Sequence, residues 1–374
     1  MNLNIVVIGL TITSSWGNGH ATTYRALVKA LSKRGHAVTF LERDAPWYRE
    51  HRDLENADYC RIDLYRSLPE LARKHAELVR DSDLVILGSY VPDGVAIGEW
   101  LTGHATGITA FYDIDTPVTL AGLDAKQIDY ISAGLIPRFD IYLSFSGGPA
   151  LGIIEDLYGS PLARALYCSA DPNMHVATTT SSKWSLGYLG TYSEDRQQSL
   201  DRLLLGPARQ LQHHSFVVAG AKYPVNSEWP DNLAYIPHLP PGNHPEFYCS
   251  QRYTLNVTRS DMKALGFSPS VRLFEAAACG TPLISDDWPG METVFAPGKE
   301  ILIATGPRDI IQILEQLPAD RRLTIAANAR SRLLREHTPD HRARQLESYY
   351  HEALAHRQSM NGSTRHSIEL EEAK

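Results

Sequence analysis

The feature of this sequence that most constrains its fold is a repeated alternation between short β-branched segments and longer segments of helical periodicity. The predicted strands carry few charged residues, as expected when helices cover both faces of a parallel sheet. They are residues 4–9, 37–41, 84–87, 107–112, 141–145, 216–219, 233–236, 254–257, 282–285 and 301–304. The predicted helices include 21–33, 269–279, 308–316, 321–335 and 339–356. The alternation therefore predicts an α/β fold with parallel sheets.

The length of 374 residues predicts two domains of similar size, each able to bury its own core. Residues 169–182 are polar, contain proline and lack periodicity, which is typical of a linker. We therefore predict Rossmann-like domains at residues 1–170 and 183–357. The polar residues 358–374 are predicted to form a disordered tail.

Composition restricts the classes of partner. A formal net charge of −7 argues against nucleic acid, which binds through broad positive surfaces. Every apolar run is much shorter than the ~20 residues of a spanning helix, so no transmembrane segment is expected, although peripheral membrane contact is left open. The cysteines lack C-x-x-C spacing, which argues against a disulfide framework or zinc site and favours a cytoplasmic protein. Adjacent His213 and His214 are not expected to form a metal pair, because neighbouring side chains on a regular element point apart.

The loop between the first predicted strand and helix contains Gly17, Asn18, Gly19 and His20. Ligands of doubly wound sheets bind at this position, and the glycines would let backbone amides approach an anion or a sugar. The complete dinucleotide fingerprint is absent, because Thr22 replaces its last glycine. At the positive end of a helix, His20 is expected to have a lowered pKa and, when neutral, could accept a hydroxyl proton. The alternative is a glycine turn with a structural histidine.

Asp113 and Asp115 follow a predicted strand at i and i+2, a spacing that places both side chains on one side of an extended segment. They could orient an imidazole, bind sugar hydroxyls or act as a general base. Two carboxylates without further ligands make a poor metal site. The alternative is a loop capped by aspartate before Pro117.

The most specific stretch is residues 266–285. Ser268 as N-cap and Pro269 at the first helical position predict where a helix begins, and Gly280 followed by Pro282 predicts where it ends. The amides at the start of this helix are expected to form an anion site suited to a diphosphate.

Glu275 lies among apolar and small residues of this helix and is predicted to be partly buried, so it needs hydrogen-bond donors. Two ribose hydroxyls or Arg272, one turn earlier, could supply them. Arg196 and Arg259 each follow a predicted strand and could clamp phosphates, or could be surface charges.

Two stretches resemble GT-B glycosyltransferases, in particular the CgeB-like (spore-maturation-type) branch of the glycosyltransferase group 1 families. They are residues 268–304, SPSVRLFEAAACGTPLISDDWPGMETVFAPGKEILIA, and residues 17–42, GNGHATTYRALVKALSKRGHAVTFLE. The resemblance, over about residues 3–350, implies two facing Rossmann-like domains. It also implies an acceptor site mainly in the first domain, a nucleotide-sugar site in the second, no essential metal, and no cofactor other than the nucleoside diphosphate sugar as co-substrate.

The resemblance also assigns roles to single residues. Glu275 matches the second glutamate of the E-x7-E motif, which holds the nucleotide ribose, whereas Phe267 replaces the first glutamate. His20 matches the imidazole base of several inverting enzymes, and Asp113 or Asp115 would orient it.

The sequence thus predicts metal-independent transfer of a sugar from a nucleoside diphosphate donor to a hydroxyl acceptor such as a saccharide. The expected donor-binding residues are Gly17, Asn18, Gly19, Arg196, Ile236, His238, Arg259, Ser270, Arg272 and Glu275. Two alternatives remain: a catalytically silent GT-B module that serves as a scaffold, which the change at Phe267 favours, and a nucleotide-sugar 2-epimerase.

Overall fold

The computed structural model describes residues 2–17, 19–125, 127–178 and 181–372, with side chains described through Met360. The strands are β1 (Asn4–Gly9), β2 (Ala37–Arg43), β3 (Arg61–Tyr65), β4 (Leu84–Gly88), β5 (Ile108–Asp113), β6 (Ile141–Ser144), β7 (Ala163–Ala165), β8 (Leu186–Leu189), β9 (Phe216–Ala219), β10 (Leu233–Ile236), β11 (Thr254–Asn256), β12 (Leu283–Ser285) and β13 (Leu302–Ile303).

The helices are α1 (His20–Lys33), α2 (Pro46–Arg49), α3 (Leu68–Asp81), α4 (Gly94–His104), α5 (Thr116–Ala125), α6 (Pro149–Gly152), α7 (Glu194–Leu200), α8 (Gly206–Gln210), α9 (His244–Cys249), α10 (Ser260–Leu265), α11 (Val271–Ala278), α12 (Pro307–Gln316), α13 (Ala319–Glu336) and α14 (Pro339–Glu372). Among the residues described, no helix is both long and apolar enough to cross a membrane.

The chain forms two compact domains, and each is built from more than one segment of the sequence. The N-terminal domain comprises the residues up to Ser14, Leu27–Leu166 and the chain from Arg342 onward, and the C-terminal domain comprises Ser15–Ala26 and Tyr167–His341. The last helix, α14, therefore belongs to the N-terminal domain, whereas the sequence assigned residues up to 357 to the C-terminal one.

Specific contacts of α14 explain this assignment. Its Glu347 accepts hydrogen bonds from Arg34 at 2.7 Å and lies 2.8 Å from the His36 ring nitrogen Nε2, and Tyr349 donates to the Ala165 carbonyl at 3.1 Å. The helix continues to Glu372, so the part of the predicted disordered tail that the structure describes is helical.

The N-terminal domain is built on a seven-stranded parallel sheet of order β3-β2-β1-β4-β5-β6-β7. The inner strands lie within a residue or two of their predicted positions. The sequence missed the two edge strands, because β3 carries the charged residues Arg61 and Asp63 and β7 has only three residues. Charged and short strands are typical of sheet edges, where hydrophobic patterning is weakest.

The C-terminal domain contains a six-stranded parallel sheet of order β10-β9-β8-β11-β12-β13. Strand β8 is central, but the sequence indicated it only through residues 189–192 before Arg196, which overlap its last residue. It reads LGYL, and its Gly187 has no room for a Cβ, which would lie 2.3 Å from the Gln251 side chain. The strand order reverses beside β8, between β9 and β11, and ligands of open α/β sheets bind outside the carboxyl ends of strands at such a switch point.

Candidate functional site

The candidate site lies at the switch point of the C-terminal sheet, where the loops after β8 and β11 approach the start of α11. Gly190 follows β8 and donates its amide to the Ala219 carbonyl at 2.8 Å. A Cβ at this position would lie 2.5 Å from the Tyr188 hydroxyl and 2.8 Å from Nη2 of Arg272. Only glycine therefore fits while Arg272 keeps its place.

Arg272 is a buried cation with neutral partners. The residue is 6% exposed, and its Nη1 donates to Asn256 Oδ1 at 2.7 Å. Its Nε donates to the Leu189 carbonyl, and its guanidinium lies 4.6 Å from the centre of the Tyr188 ring. No described carboxylate forms an ion pair with it. Because a buried charge without a counter-charge is costly, this arrangement favours a bound anion.

Backbone amides at the start of α11 add to this positive site. The helix begins at Val271 with Ser270 as N-cap, so the predicted start at Ser268 and Pro269 is wrong by two residues. Ser268 donates its hydroxyl to the Gly266 carbonyl at 2.8 Å instead, because Gly266 and Phe267 have left-handed backbones, with φ of 71° and 48°.

The first turn of α11 contains no acidic residue and no side-chain cap. Within the described part of the chain, the amides of Val271 and Arg272 find no acceptor. Such amides, at the positive end of a helix, bind phosphate or carboxylate groups. Ser270 thus stands at the start of this helix as its N-cap residue, two positions after the predicted one.

Arg196 and Arg259 also lie at this switch point, after β8 and β11. Nη2 of Arg196 donates to the Thr191 carbonyl at 2.6 Å, while its buried Nε has no hydrogen-bond partner among the described residues. Nε of Arg259 lies 3.5 Å from Asp195 Oδ2, and the Ser260 amide donates to that same oxygen at 3.2 Å. Arg196, in α7, and Arg259, just before α10, thus both contact other residues of the C-terminal domain.

Glu275 is buried in α11, at 3% exposure, and its partners come from distant parts of the chain. The Tyr248 hydroxyl donates to Oε2 at 2.8 Å, His244 Nδ1 lies 3.5 Å from Oε2, and His175 Nε2 lies 3.6 Å from Oε1. Arg272, the protein partner considered from the sequence, does not pair with this carboxylate. Oε1 accepts no hydrogen bond from any described residue.

Electrostatics keep the Glu275 carboxylate ionised. Burial alone would raise its pKa, but His244, His175 and the Tyr248 hydroxyl together lower it to about 2. The reciprocal effect of Glu275 outweighs burial at His244 and raises the pKa of that imidazole. No sequence pattern indicated these partners, since His175 lies in the predicted linker and the other two in the short helix α9.

Ile236 and His238 lie at and just beyond the carboxyl end of β10, where Ile236 is half-buried and His238 is exposed. Nearby, Trp229 stacks on Tyr235 with ring centres 5.0 Å apart, and Tyr235 donates to the Gly220 carbonyl at 3.0 Å. Both rings pack against the hydrophobic core of the domain, close in sequence to the two residues predicted to contact a base.

The glycine loop before α1 leaves space around its backbone. Gly17 has φ of +67°, and a Cβ on Gly17 or Gly19 would meet nothing within 4 Å; Asn18 lies outside the described residues. His20 begins α1, and burial lowers its pKa to about 4. The neutral imidazole predicted at neutral pH agrees with this value, although its cause is burial and not the helix dipole.

Asp113 is completely buried at the end of β5 and fully engaged within the N-terminal domain. It accepts hydrogen bonds from Tyr142 at 2.5 Å, Thr119 at 2.8 Å and the Asp115 amide at 3.2 Å, and burial raises its pKa to about 6. Asp115 is only half-buried and accepts from the Tyr90 hydroxyl at 3.1 Å. Of the two predicted orienting carboxylates, Asp115 is the better placed to contact another group.

Two groups in the described part of the chain have side chains that could hold a metal ion. One is His175, His244 and Glu275; the other is His213, His214 and Glu315. Nε2 of His213 and Nε2 of His214 lie 3.0 and 2.7 Å from the same Glu315 oxygen. The expectation that these histidines point apart is wrong, because they lie in a turn where the alternation of a regular element does not apply.

Comparison with known proteins relates this arrangement to glycosyltransferases. Residues 196–348 match a family model described as "Glycosyl transferase-like". The matched segment contains most of the C-terminal domain, including Arg196, Arg272 and Glu275. No curated protein matches the sequence.

Solved structures match nearly the whole chain at low sequence identity. Sucrose-phosphate synthase from Thermosynechococcus elongatus is 14% identical, with 94% of this chain and 99% of that chain covered and a TM-score of 0.68. Anabaena HepE in complex with UDP and glucose is 12% identical, with coverages of 94% and 100% and a TM-score of 0.69. An α-glucosyltransferase in complex with UDP-glucose and DNA containing an abasic site is 12% identical, with coverages of 94% and 100% and a TM-score of 0.67.

The chain has the GT-B fold. Both parallel sheets and the Rossmann-like order of their strands agree with this assignment. In the GT-B chain described here, the buried Arg272, the start of α11 and Glu275 all belong to the C-terminal domain, where the resemblance placed the nucleotide-sugar site.

Proposed function

We propose that this protein is a metal-independent glycosyltransferase of the CgeB-like branch that transfers a sugar from a nucleoside diphosphate donor to a hydroxyl acceptor. The observation that carries the proposal is Arg272, a buried cation without a carboxylate partner beside two uncapped helix amides and Gly190. These groups suit a diphosphate, which is a compact anion that accepts several hydrogen bonds. Similar structures of Anabaena HepE hold UDP or UDP-glucose, so UDP is the first nucleotide to test.

Each part of the donor has a proposed partner. The amides of Val271 and Arg272 and the Arg272 guanidinium bind the diphosphate, and Ser270 begins that helix. Arg196 and Arg259 add positive charge that stabilises the leaving nucleoside diphosphate, which takes the place of a metal ion. Glu275 accepts hydrogen bonds from the ribose hydroxyls through Oε1.

The base is proposed to lie against Ile236 and His238. The segment from Gly17 through Asn18 to Gly19 would close over the donor sugar, and the free space at Gly17 and Gly19 permits close approach. Closure of such a loop excludes water from the reacting atoms.

The proposed reaction replaces one bond at the anomeric carbon by another and transfers one proton. The acceptor hydroxyl oxygen attacks the anomeric carbon, its proton passes to His20, and the bond from that carbon to the β-phosphate oxygen breaks to release the nucleoside diphosphate. A pKa of about 4 keeps His20 neutral and able to accept the proton.

Phe267 favours the second candidate, a GT-B module without catalysis. Its half-buried ring packs so closely on Gly290 that a Cβ there would lie 2.4 Å from the ring. The position of the motif's first glutamate is thus filled by a packed aromatic side chain and supplies no carboxylate to the donor sugar.

A binding screen followed by product analysis tests these functions. A panel of nucleoside diphosphates and their sugars is first screened by thermal shift, where specific binding raises the melting temperature by mass action. The donor that binds is then incubated with and without a saccharide panel, and released nucleoside diphosphate is measured. Faster release with an acceptor supports the transferase. Binding without release supports the silent module, an epimeric donor formed without acceptor supports the 2-epimerase, and no binding overturns the proposal.

Two variants test the residue assignments in the same assay. Glu275→Ala with unchanged donor affinity would exclude the ribose contact. His20→Ala with normal turnover would exclude the proposed base.

A further inference from the structure

The polar groups around Arg272 are all neutral, and one of them is an asparagine. Asn256 ends β11, is 1% exposed, and accepts the 2.7 Å hydrogen bond from Arg272 Nη1. The other acceptors are the Leu189 carbonyl and, at 3.5 Å, the Ser270 hydroxyl. Among the described side chains, Asn256 therefore makes the shortest hydrogen bond to the guanidinium.

The orientation of the Asn256 amide is determined by its neighbours. Its Nδ2 donates to the Ser285 hydroxyl at 2.9 Å and to the Thr258 hydroxyl at 3.2 Å. Ser285 donates to the Asp286 carbonyl at 2.8 Å, and Thr258 donates to Asp286 Oδ1 at 2.8 Å. Because both hydroxyl protons are thus committed to Asp286, both hydroxyls accept from Nδ2. The amide cannot flip, and Oδ1 must face Arg272.

The nearest acidic side chain in this network does not neutralise Arg272. Asp286 is linked to the guanidinium through the Thr258 and Ser285 hydroxyls and the Asn256 amide, and its own cationic neighbour is Lys263, whose Nζ lies 3.5 Å from Oδ2. An aspartate at position 256 has nearly the shape of asparagine and would place a carboxylate directly against the guanidinium. Charge-assisted pairs of this kind are strong, so the identity of residue 256 decides whether the arginine charge is available.

We propose that Asn256 is a positioning residue that fixes Arg272 at the switch point without neutralising it, so that the full positive charge acts on the diphosphate. This inference rests on the proposed function, because it requires a diphosphate at that position. It adds that the site depends on a neutral hydrogen-bond acceptor under the arginine, and that an isosteric acid would inactivate the site while preserving the fold.

The experiment compares Asn256→Asp with the wild-type protein by isothermal titration calorimetry. The ligands are UDP, with GDP, ADP and dTDP in parallel, and the parent nucleoside of whichever binds. A hydrogen bond to a charged group is worth about 1.5–3 kcal/mol, so the variant is expected to bind the diphosphate about 10- to 100-fold more weakly. Affinity for the nucleoside should stay within about twofold. The melting temperature is measured in parallel, because the new carboxylate pairs with Arg272 but loses the hydrogen bonds that Nδ2 donates to Ser285 and Thr258; a cooperative transition shows that the variant is folded.

Two further variants separate charge from folding. Asn256→Ser removes the contact to Arg272 without placing a charge beside it and is expected to bind the diphosphate more tightly than Asn256→Asp. Asn232→Asp is the matched control: the Asn232 amide donates to three carbonyls of the same domain, those of Ala208, Leu211 and His214. This control should lower the melting temperature and leave nucleotide affinity unchanged.

Each outcome has a defined meaning. Wild-type affinity in Asn256→Asp, or equal weakening of nucleoside and diphosphate binding, would overturn the role of Asn256 while leaving the proposed function intact. If Asn256→Asp does not fold, Asn256→Ser with a normal fold must retain more than a tenth of the wild-type diphosphate affinity, and a greater loss would overturn the inference. Failure of the wild-type protein to bind any diphosphate would refute the proposed function and, with it, this inference.

Discussion

Replacing Glu275 by glutamine tests the electrostatic account of the C-terminal domain. The side chain keeps its shape but loses the charge that interacts with His175 and His244. The folded-state pKa of about 2, against an ordinary 4.5, corresponds to about 3 kcal/mol of stability at neutral pH. Because the pKa is depressed in the folded state, this contribution is present above pH 4.5 and is lost as pH falls towards 2.

The assay is urea denaturation of wild-type and Glu275→Gln protein at pH 7, 5 and 3, followed by tryptophan fluorescence. We expect the variant to be less stable by about 3 kcal/mol at pH 7 and 5, with a smaller difference at pH 3. Glu315→Gln is the matched control, because its carboxylate also contacts two histidines but is exposed, where ion pairs contribute little. Equal stability of Glu275→Gln and wild type at pH 7 would refute the reasoning.

Three further variants probe other contacts. Burial raises the pKa of Asp113 to about 6, so the wild-type protein should lose stability as pH rises from about 4 to about 6. The Asp113→Asn variant should not show this loss. Melting temperatures at pH 4, 5, 6 and 8 measure the difference, and the same pH profile in both proteins would contradict the prediction. Gly190→Ala should displace Arg272, costing about 1–3 kcal/mol of stability and at least about tenfold in diphosphate affinity, so normal binding by calorimetry would count against the site. Tyr248→Phe removes the hydroxyl that donates to Glu275 at 2.8 Å and should destabilise the domain by about 1.5–3 kcal/mol in urea denaturation, whereas an unchanged midpoint would show that this bond contributes nothing.

The strands with strong apolar patterning were predictable from the sequence because buried parallel strands are almost purely hydrophobic. Strand β1 and strands β9 and β10 have the predicted bounds. Strand β8 was indicated only by the residues just before Arg196. The close approach of the Gln251 side chain leaves no room for a Cβ at position 187, and this glycine weakens the apolar pattern of the strand. The return of α14 to the N-terminal domain depends on contacts across hundreds of residues, such as Arg34 with Glu347, which local periodicity does not encode.

The sequence indicated which residues belong to the candidate site, but not which residues contact them. The positions of Arg196, Arg259 and Arg272 after strands or at a helix start placed them near the switch point, since carboxyl ends of parallel strands share one edge. The start of α11 was misplaced because Ser268 and Pro269 have the composition of a helix start, while the left-handed backbone of Phe267 delays it to Ser270. His175 and Asn256 carry no local signal, because their roles arise only when distant segments meet.

The most direct test of the central claim is a crystal structure of the protein with the nucleoside diphosphate that binds it most tightly. The account predicts phosphate oxygens about 3 Å from the Arg272 guanidinium and from the Val271 amide, with the ribose hydroxyls on Glu275 Oε1. A nucleotide bound away from the start of α11, with Arg272 still held only by its neutral protein partners, would contradict it.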